Sequence, residues 1–160
     1  MIKIEILTKP TIGDLKDINN LLPQIAQKPH LLNIGELRKV TGQKGCRLII
    51  ARDGRAGRIV GASALTLVYI PTGLITTVED VIVDEKYRGF GIGRKLTQKM
   101  IDVAKKQRAK HISLTTNPAR EAANAMYKKM GFLLKETNYY RINLYLPKPN
   151  SKKNPSSKMG

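Results

Sequence analysis

The sequence predicts an α/β fold (α+β by some conventions), with a mixed central sheet of six to seven strands flanked by about four helices. Apolar residues alternate in several short runs, as on half-buried strands, and elsewhere recur every three to four residues, as on amphipathic helices. One apolar run also leads through three closely spaced glycines straight into a helical pattern. The elements follow the order β-α-α-β-β-β-α-β-α-β, which predicts a layered domain rather than a bundle or a sandwich.

The N-terminal half supplies most of the strands. Isoleucines at positions 2, 4 and 6 alternate with Lys3 and Glu5, a strand pattern, whereas a signal peptide would have a continuous apolar core. Two short amphipathic helices follow, the first ended by Pro23. Gly54 and Gly57 mark a turn between two apolar runs. The predicted elements are strands 2–8, 47–52, 59–70 and 74–83 and helices 14–22 and 33–40.

The C-terminal half alternates helix and strand. A helix over 92–107 has an inner stripe formed by Ile92, Leu96, Met100 and Val103. Strand 111–116 follows, and strand 139–146 closes the sheet. Residues 1–146 are therefore predicted to form one domain. Residues 147–160 are rich in Lys, Pro, Asn and Ser and cannot bury enough apolar area to offset their ordering entropy, so we expect a basic, disordered tail.

A further helix is predicted over 118–130. Asn117 is a favourable N-cap, Pro118 suits the first helical position and Gly131 supplies the stop. Three residues that recur every fourth position, Ala122, Met126 and Met130, are predicted to form a buried stripe. Asn124 and Tyr127 lie three apart and share a neighbouring face.

The segment from Arg88 to Arg94 predicts an anion site. Glycine permits close backbone approach and positive φ, and the free N–H groups of the following helical turn favour a phosphate. A dinucleotide motif would need glycine where Arg94 stands, and the Gly-Lys-Ser/Thr of a Walker A loop is absent. A kinase glycine loop fails on the same spacing. An ordinary strand-to-helix turn, with glycines for tight packing, is the alternative.

What stands in this loop is Arg88-Gly89-Phe90-Gly91-Ile92-Gly93. It resembles the acetyl-coenzyme A (acetyl-CoA) loop of the GNAT superfamily of N-acetyltransferases, whose signature is Gln/Arg-x-x-Gly-x-Gly/Ala. The segment from Asn117 to Phe132 resembles the family's Asn-x-x-Ala-x-x-x-Tyr-x-x-x-Gly-Phe region. The predicted element order is similar to the GNAT order throughout residues 2–146.

The resemblance implies acetyl-CoA as co-substrate. Backbone N–H groups of the strand before the loop would hold the pantetheine arm, the loop would hold the pyrophosphate, and the helical asparagine would contact the cofactor. Tyr127 would lie beside the thioester sulfur and protonate the departing thiolate. The residues so implicated in cofactor binding are Val81, Ile82, Val83, Arg88, Gly89, Phe90, Gly91, Ile92, Gly93, Arg94, Asn117, Asn124 and Tyr127.

An amine acceptor would also require a base. With a pKa near ~10.4 an amine is protonated at neutral pH, so its free base costs roughly 4 to 5 kcal/mol. Glu79 and Asp80 stand just before the glycine loop. Strand alternation lets only one of them face the cleft unless a bulge intervenes. We favour Glu79, directly or through a water, with Asp80 as the alternative. A non-catalytic interpretation is that the pair is a solvated strand end or an ion-pair partner for neighbouring Arg and Lys residues.

Composition and charge restrict the partners and the cellular location that can be expected. The formal net charge is +17, and residues 81–160 hold 18 basic and 5 acidic residues. This charge favours an anionic or phosphorylated acceptor over a polyamine. Sequence-specific nucleic-acid binding is disfavoured by 5% aromatics, and non-specific association with RNA stays open. No uncharged apolar run of membrane-spanning length occurs. Cys46, the one cysteine, suits a reducing cytosol and is interpreted as a small buried residue rather than a nucleophile.

These observations favour a cytoplasmic N-acetyltransferase that transfers acetyl from acetyl-CoA to a primary amine in a ternary complex, as a monomer or homodimer without a metal. The Glu79-Asp80 pair also resembles that of the glucosamine-phosphate acetyltransferase branch, and residues 136–141 are a candidate acceptor-pocket segment. Two alternatives stand beside this hypothesis: a coenzyme A-binding regulatory module without turnover, and a basic RNA- or ribosome-associated protein.

Overall fold

The computed structural model describes residues 1–144. Within them one sheet has the spatial order β1-β2-β3-β4-β5. The strands are β1 (Ile2–Ile6), β2 (Cys46–Asp53), β3 (Ile59–Ile70), β4 (Gly73–Val83) and β5 (Ile112–Ser113). The helices are α1 (Ile12–Leu21), α2 (Ile34–Gly42), α3 (Ile92–Lys106) and α4 (Glu121–Lys129), with short 3₁₀ turns at Leu22–Gln24 and Glu85–Tyr87.

The sheet is mixed, as predicted. Strands β1 to β4 pair with their neighbours in antiparallel fashion, whereas β5 returns through α3 and pairs parallel to β4. The parallel pairing is short, because it joins only Thr76 to Ile112 and Thr77 to Ser113. Beyond these pairs the two strands separate, and this separation positions the site.

The first two helices start at side-chain caps. Thr11 accepts a hydrogen bond from the Asp14 N–H while the Asp14 carboxylate accepts one from the Thr11 N–H, and Asn33 and Glu36 make the same reciprocal pair. Such pairs satisfy N–H groups that a helix terminus leaves free. Because Thr11 caps α1, that helix begins two residues earlier than the apolar spacing alone predicted.

The core lies on both faces of the sheet. Helices α1 and α2 cover one face, where Ile18, Leu21 and Leu37 pack on Ile50 and Ile59. Helix α3 covers the other face with the predicted stripe: Ile92, Leu96 and Met100 are buried and Val103 is partly buried. Cys46 is buried at the start of β2, and burial raises the pKa of its thiol, consistent with the predicted structural role.

Gly61 brings α3 close to the sheet. A Cβ at this position would lie 3.1 Å from the Ile82 carbonyl oxygen and 3.3 Å from Leu96 Cδ1. Only glycine permits this approach without moving the helix. The N-terminus of α3 is therefore held tightly against the C-terminal end of β4.

A β-bulge interrupts β4 close to the point where Gly61 pairs with it. Ala64 pairs with Glu79 and Ala62 with Ile82, so Ser63 alone faces two residues of β4. Asp80, one of these two, has φ 52°, and the buried Ser63 hydroxyl donates to the Glu79 carbonyl at 2.9 Å. The extra residue reverses the alternation of side chains. Val78 and Val81 consequently face α3, whereas Ile82 faces α1 and α2.

The prediction of six to seven strands is wrong for the described residues, which contain five. Residues 139–144 form no strand, and Tyr140, Ile142 and Leu144 are exposed. Strand β5 is two residues long rather than six, so its edge offers too little backbone to template a neighbour. The end of the predicted last strand, 145–146, and the predicted tail, 147–160, lie outside the described residues.

The fourth helix begins at Glu121, not at Pro118. Asn117 instead heads a turn: its side chain accepts from the Ala119 N–H at 2.8 Å and its carbonyl from the Arg120 N–H at 2.9 Å. Asn-Pro suits the start of a turn as well as the start of a helix.

The predicted stripe of α4 is not buried. Ala122 is exposed and Met126 and Met130 are half-buried, whereas Tyr127 is the buried residue of this helix. The reason is that the face shared by Ala122 and Met126 opens onto a cleft.

Candidate active site

A cleft of about 650 Å³ opens where β4 and β5 separate. The C-terminal half of β4 forms its floor, and the glycine loop with the start of α3 closes one end. Residues 114–116 and one face of α4 form one wall, and Ile25 and Ala26, which follow the first 3₁₀ turn, border it as well. The predicted cofactor loop and the predicted catalytic side chains therefore border one cavity.

The floor presents backbone groups of β4. The Thr76 N–H donates to the His111 carbonyl at 3.1 Å, which marks the side of β4 that faces β5. The Asp84 N–H donates to the Val60 carbonyl at 2.9 Å, which marks the side that faces β3. The bulge at Asp80 shifts the alternation of backbone groups by one residue between these two points, so the N–H groups of Val81 and Val83 turn toward the side that β5 has left.

The glycine loop leaves open space above its backbone. Gly89 and Gly91 have φ of 82° and 73°, and a Cβ at either would meet no atom of the described residues within 4 Å. Gly91 is the N-cap of α3 and provides no side-chain cap, so the first N–H groups of this helix remain available. Free amides at a helix N-terminus suit an anion.

The loop is anchored on both sides. The Tyr87 hydroxyl donates to Asp53 Oδ2 at 2.9 Å, and this hydrogen bond raises the pKa of the tyrosine. Arg88 Nε donates to the Val83 carbonyl at 3.1 Å, and its Nη2 donates to Gln24 Oε1 at 2.9 Å. The loop therefore reaches the cleft with its conformation already set.

Both predicted carboxylates border the cleft. The bulge places Asp80 as an extra residue after Glu79, and both side chains are exposed. The alternation that would have admitted only one of them is thus broken at this point. Asp80 adopts the left-handed region, which aspartate tolerates better than most residues.

Tyr127 lies on the opposite wall and is 8% exposed. Its ring packs edge-on against Phe132, with centroids 5.6 Å apart. Burial raises the pKa of the phenol, and the nearby Arg120 charge opposes this only in part. The hydroxyl therefore stays protonated at neutral pH and can act as a proton donor.

Most predicted site residues border the cleft, and four do not. Ile82 turns its side chain into the core under α1 and α2, and Phe90 is exposed outside the cleft. Asn117 and Asn124 bond to each other instead: Asn124 Nδ2 donates to the carbonyls of Asn117 and Arg120 at 3.0 Å. The predicted members that border the cleft are Glu79, Asp80, Val81, Val83, Arg88, Gly89, Gly91, Ile92, Gly93, Arg94 and Tyr127.

Arg120 borders the cleft and was missed. Counting back from Tyr127 through Ala123, the asparagine of the Asn-x-x-Ala-x-x-x-Tyr pattern falls on position 120, where this chain has arginine. That departure was visible in the sequence. The side chains of Leu114, Thr115 and Thr116 were also missed, because they were assigned to a paired strand.

Within residues 1–144 no cluster of three or more His, Cys, Asp or Glu side chains is arranged to hold a metal ion. The described helices include none with the length and apolar character needed to cross a bilayer.

A sheet that splits beside a glycine loop, with a helix N-terminus behind the loop, is suited to bind an extended ligand that carries phosphate groups. Residues 16–132 match the sequence model of the acetyltransferase (GNAT) family, and the chain belongs to this family. It is therefore an acyltransferase that uses acetyl-CoA. The predicted membership of the GNAT acetyltransferases is confirmed.

Curated relatives are similar over different lengths. The chain is 27% identical to glucosamine 6-phosphate N-acetyltransferase of Trypanosoma brucei brucei over 75% of this chain and 83% of the relative. It is 46% identical to N-alpha-acetyltransferase 30 of Schizosaccharomyces pombe, but over 30% of this chain and 32% of the relative. A solved glucosamine-6-phosphate N-acetyltransferase from Arabidopsis thaliana has the same fold, with a TM-score of 0.76 at 18% identity over 89% of this chain and 98% of its own.

Replacing Gly91 by alanine tests the loop. Its φ of 73° is strained for any residue with a Cβ, by about 1 to 2 kcal/mol. The new methyl group would also occupy the space above the amides. We expect Gly91→Ala to lower stability by roughly 1 kcal/mol and to weaken acetyl-CoA binding at least about tenfold, because one lost charged hydrogen bond has that effect.

Gly57→Ala is the matched control, since Gly57 has φ 66° in a hairpin turn and open space around it. It should lower stability similarly and leave binding unchanged by calorimetry. Equal effects of both substitutions on binding would contradict a direct role for the loop.

Proposed function

We propose that this chain transfers the acetyl group of acetyl-CoA directly to a primary amine, with both substrates bound together in the cleft. The observation that carries the proposal is that two exposed carboxylates and a buried, protonated tyrosine border the same cleft as the free amides of the loop. Family membership supports the donor, and the geometry supports direct transfer. A cytoplasmic location remains a prediction.

The residues present fit the donor. A Cβ at Gly89 or Gly91 would meet no atom of the described residues within 4 Å, and no side chain caps the start of α3, so an anion can approach these amides. The pyrophosphate would lie on these amides and the pantetheine arm along Val81 and Val83. Acetyl-CoA supplies an activated acyl carbon and a thiolate leaving group.

Glu79 is the proposed base. It would take the proton from the acceptor ammonium, directly or through a water, so that the nitrogen lone pair can form the new C–N bond. Asp80 is the alternative, since the bulge admits both carboxylates. Asp80 has a second role in either case, because the bulge depends on a residue that accepts φ 52°.

Tyr127 is the proposed acid. As the C–S bond breaks, the phenol would donate its proton to the departing sulfur, and the second proton that the acceptor nitrogen loses on forming the amide would return to the phenolate. Burial keeps the phenol protonated, and Phe132 fixes the ring. Backbone N–H groups of β4 would stabilise the charge that develops on the acyl oxygen.

An anionic amine is the proposed acceptor class. Arg88, Arg94 and Arg120 border the cleft together with the two carboxylates. The net charge of +17 disfavours a polyamine. The curated relative matched over most of its length is named for glucosamine 6-phosphate, which is an amine of this class.

Substitution of the three proposed catalytic side chains tests the roles. We expect Glu79→Gln to lower kcat about 100- to 1000-fold, with a deficit that shrinks as pH rises toward the amine pKa near ~10.4. Tyr127→Phe should lower kcat about 10- to 100-fold at every pH below the raised pKa of the tyrosine. Asp80→Asn, which retains the backbone preference, should have the smallest effect.

Thiol release between pH 7 and pH 9.5 measures these rates, with Glu121→Gln on the exposed side of α4 as the control. A larger loss for Asp80→Asn than for Glu79→Gln would move the base to Asp80. Full activity of both Glu79→Gln and Tyr127→Phe would refute the catalytic assignment.

An acceptor panel tests the substrate class. Glucosamine 6-phosphate should have a lower KM than glucosamine, and spermidine should be the poorest of the three. Added salt should reduce the difference in KM between glucosamine 6-phosphate and glucosamine, because salt screens exposed charges with a Debye length of about 10 Å at 0.1 M. A preference for spermidine, or an equal KM for the two sugars, would contradict the anionic class.

A further inference from the structure

Gln24 connects the segment that precedes Ile25 and Ala26 to the glycine loop. It ends the 3₁₀ turn Leu22–Gln24, directly before Ile25 and Ala26, which border the cleft. Its Oε1 accepts hydrogen bonds from the Glu85 N–H at 3.1 Å and from Arg88 Nη2 at 2.9 Å. One side-chain oxygen therefore joins residues more than 60 positions apart.

Arg88 links Gln24 to the strand that precedes the glycine loop. Arg88 Nε donates to the carbonyl of Val83, the last residue of β4, while Arg88 Nη2 donates to Gln24 Oε1. The guanidinium thus fixes the position at which the glycine loop starts, relative to the floor of the cleft. Two of its five N–H groups are used for this purpose.

The hydrogen bonds of Arg88 to Gln24 and to Val83 contribute little to the stability of the fold. Arg88 is exposed and Gln24 is half-buried, and hydrogen bonds between such groups add little to folding. Their position matters more, because misplacement of a binding group by a fraction of an ångström weakens the interactions it makes. The glutamine oxygen also satisfies the Glu85 N–H, which starts the second 3₁₀ turn.

We propose that Gln24 is a positioning residue that couples segment 22–26, whose last two residues border the cleft, to the glycine loop, so that binding of acetyl-CoA to the loop also orders this segment. The proposal rests on the function proposed above. Coupling is reciprocal, so whatever orders residues 22–26 also favours the loop conformation that binds the pyrophosphate. Gln24 itself touches neither reacting atom.

The test uses coenzyme A alone as the probe, with the full chain and calorimetry. Gln24→Met keeps the size of the side chain but removes the acceptor oxygen, and we expect its Kd for coenzyme A to rise about fivefold to tenfold. Gln24→Glu keeps an oxygen for both donors and should stay within about twofold of the wild-type chain. Gln27→Met is the matched control, because Gln27 is exposed three residues away and outside this network.

A double-mutant cycle separates positioning from a general loss of structure. Adding Gln24→Met to Arg88→Met should change the Kd less than Gln24→Met does alone, because the two residues act as a unit. In turnover with an accepted amine, Gln24→Met should raise both KM values and leave kcat within about twofold, as expected when binding alone is weakened.

Three results would overturn the proposal: an unchanged Kd in Gln24→Met, a Kd in Gln24→Glu raised as much as in Gln24→Met, or additive effects in the cycle. Absence of binding by the wild-type chain would instead remove the proposed function, and this inference with it. The wild-type measurement therefore tells the two failures apart.

Discussion

The pairing between β4 and β5 covers two residues, and the site depends on where it stops. A parallel strand pair normally satisfies the backbone groups of both strands. Here β5 leaves after Ser113, so the N–H groups of Val81 and Val83 on that side face a cleft rather than a neighbouring strand, while the Val83 carbonyl accepts from Arg88 Nε. Backbone groups at such a position need a partner, and an extended ligand with amide and phosphate groups can provide it. The separation of the strands thus creates the cavity and also leaves backbone groups in it that need hydrogen-bond partners.

Two further structural features place functional groups beside the cleft that this separation opens. Gly61 lets α3 approach the sheet, which places the N-terminus of α3 at the end of β4. The bulge opposite Ser63 then turns β4 so that two carboxylates precede the loop at the edge of the cleft. In the proposed mechanism, phosphate binding and proton transfer therefore take place on adjacent segments of one strand and one loop. Tyr127 is the contribution from the far wall, and it is held there by burial and by Phe132.

The parts of this arrangement that depend on local sequence could be predicted. The strand before the loop, the glycines and α3 follow from alternation, from the φ requirement at Gly89 and Gly91 and from the apolar stripe. The bulge at Asp80 could not, because it depends on the register between β4 and β3. The Arg88–Gln24 contact spans 64 positions and leaves no local pattern. The predicted final strand was wrong for residues 139–144, since alternation indicates a strand but does not provide an edge for it to join.

The central claim is that bare amides of the loop and of β4 bind the donor. Amide ¹H–¹⁵N spectra of the full chain, titrated with acetyl-CoA, test it most directly. The account predicts saturable shifts centred on Gly89, Gly91, Gly93 and Arg94, together with Val81 and Val83. Shifts confined to the exposed basic residues Lys105 and Lys106 at the far end of α3, with the loop and β4 unchanged, would contradict it.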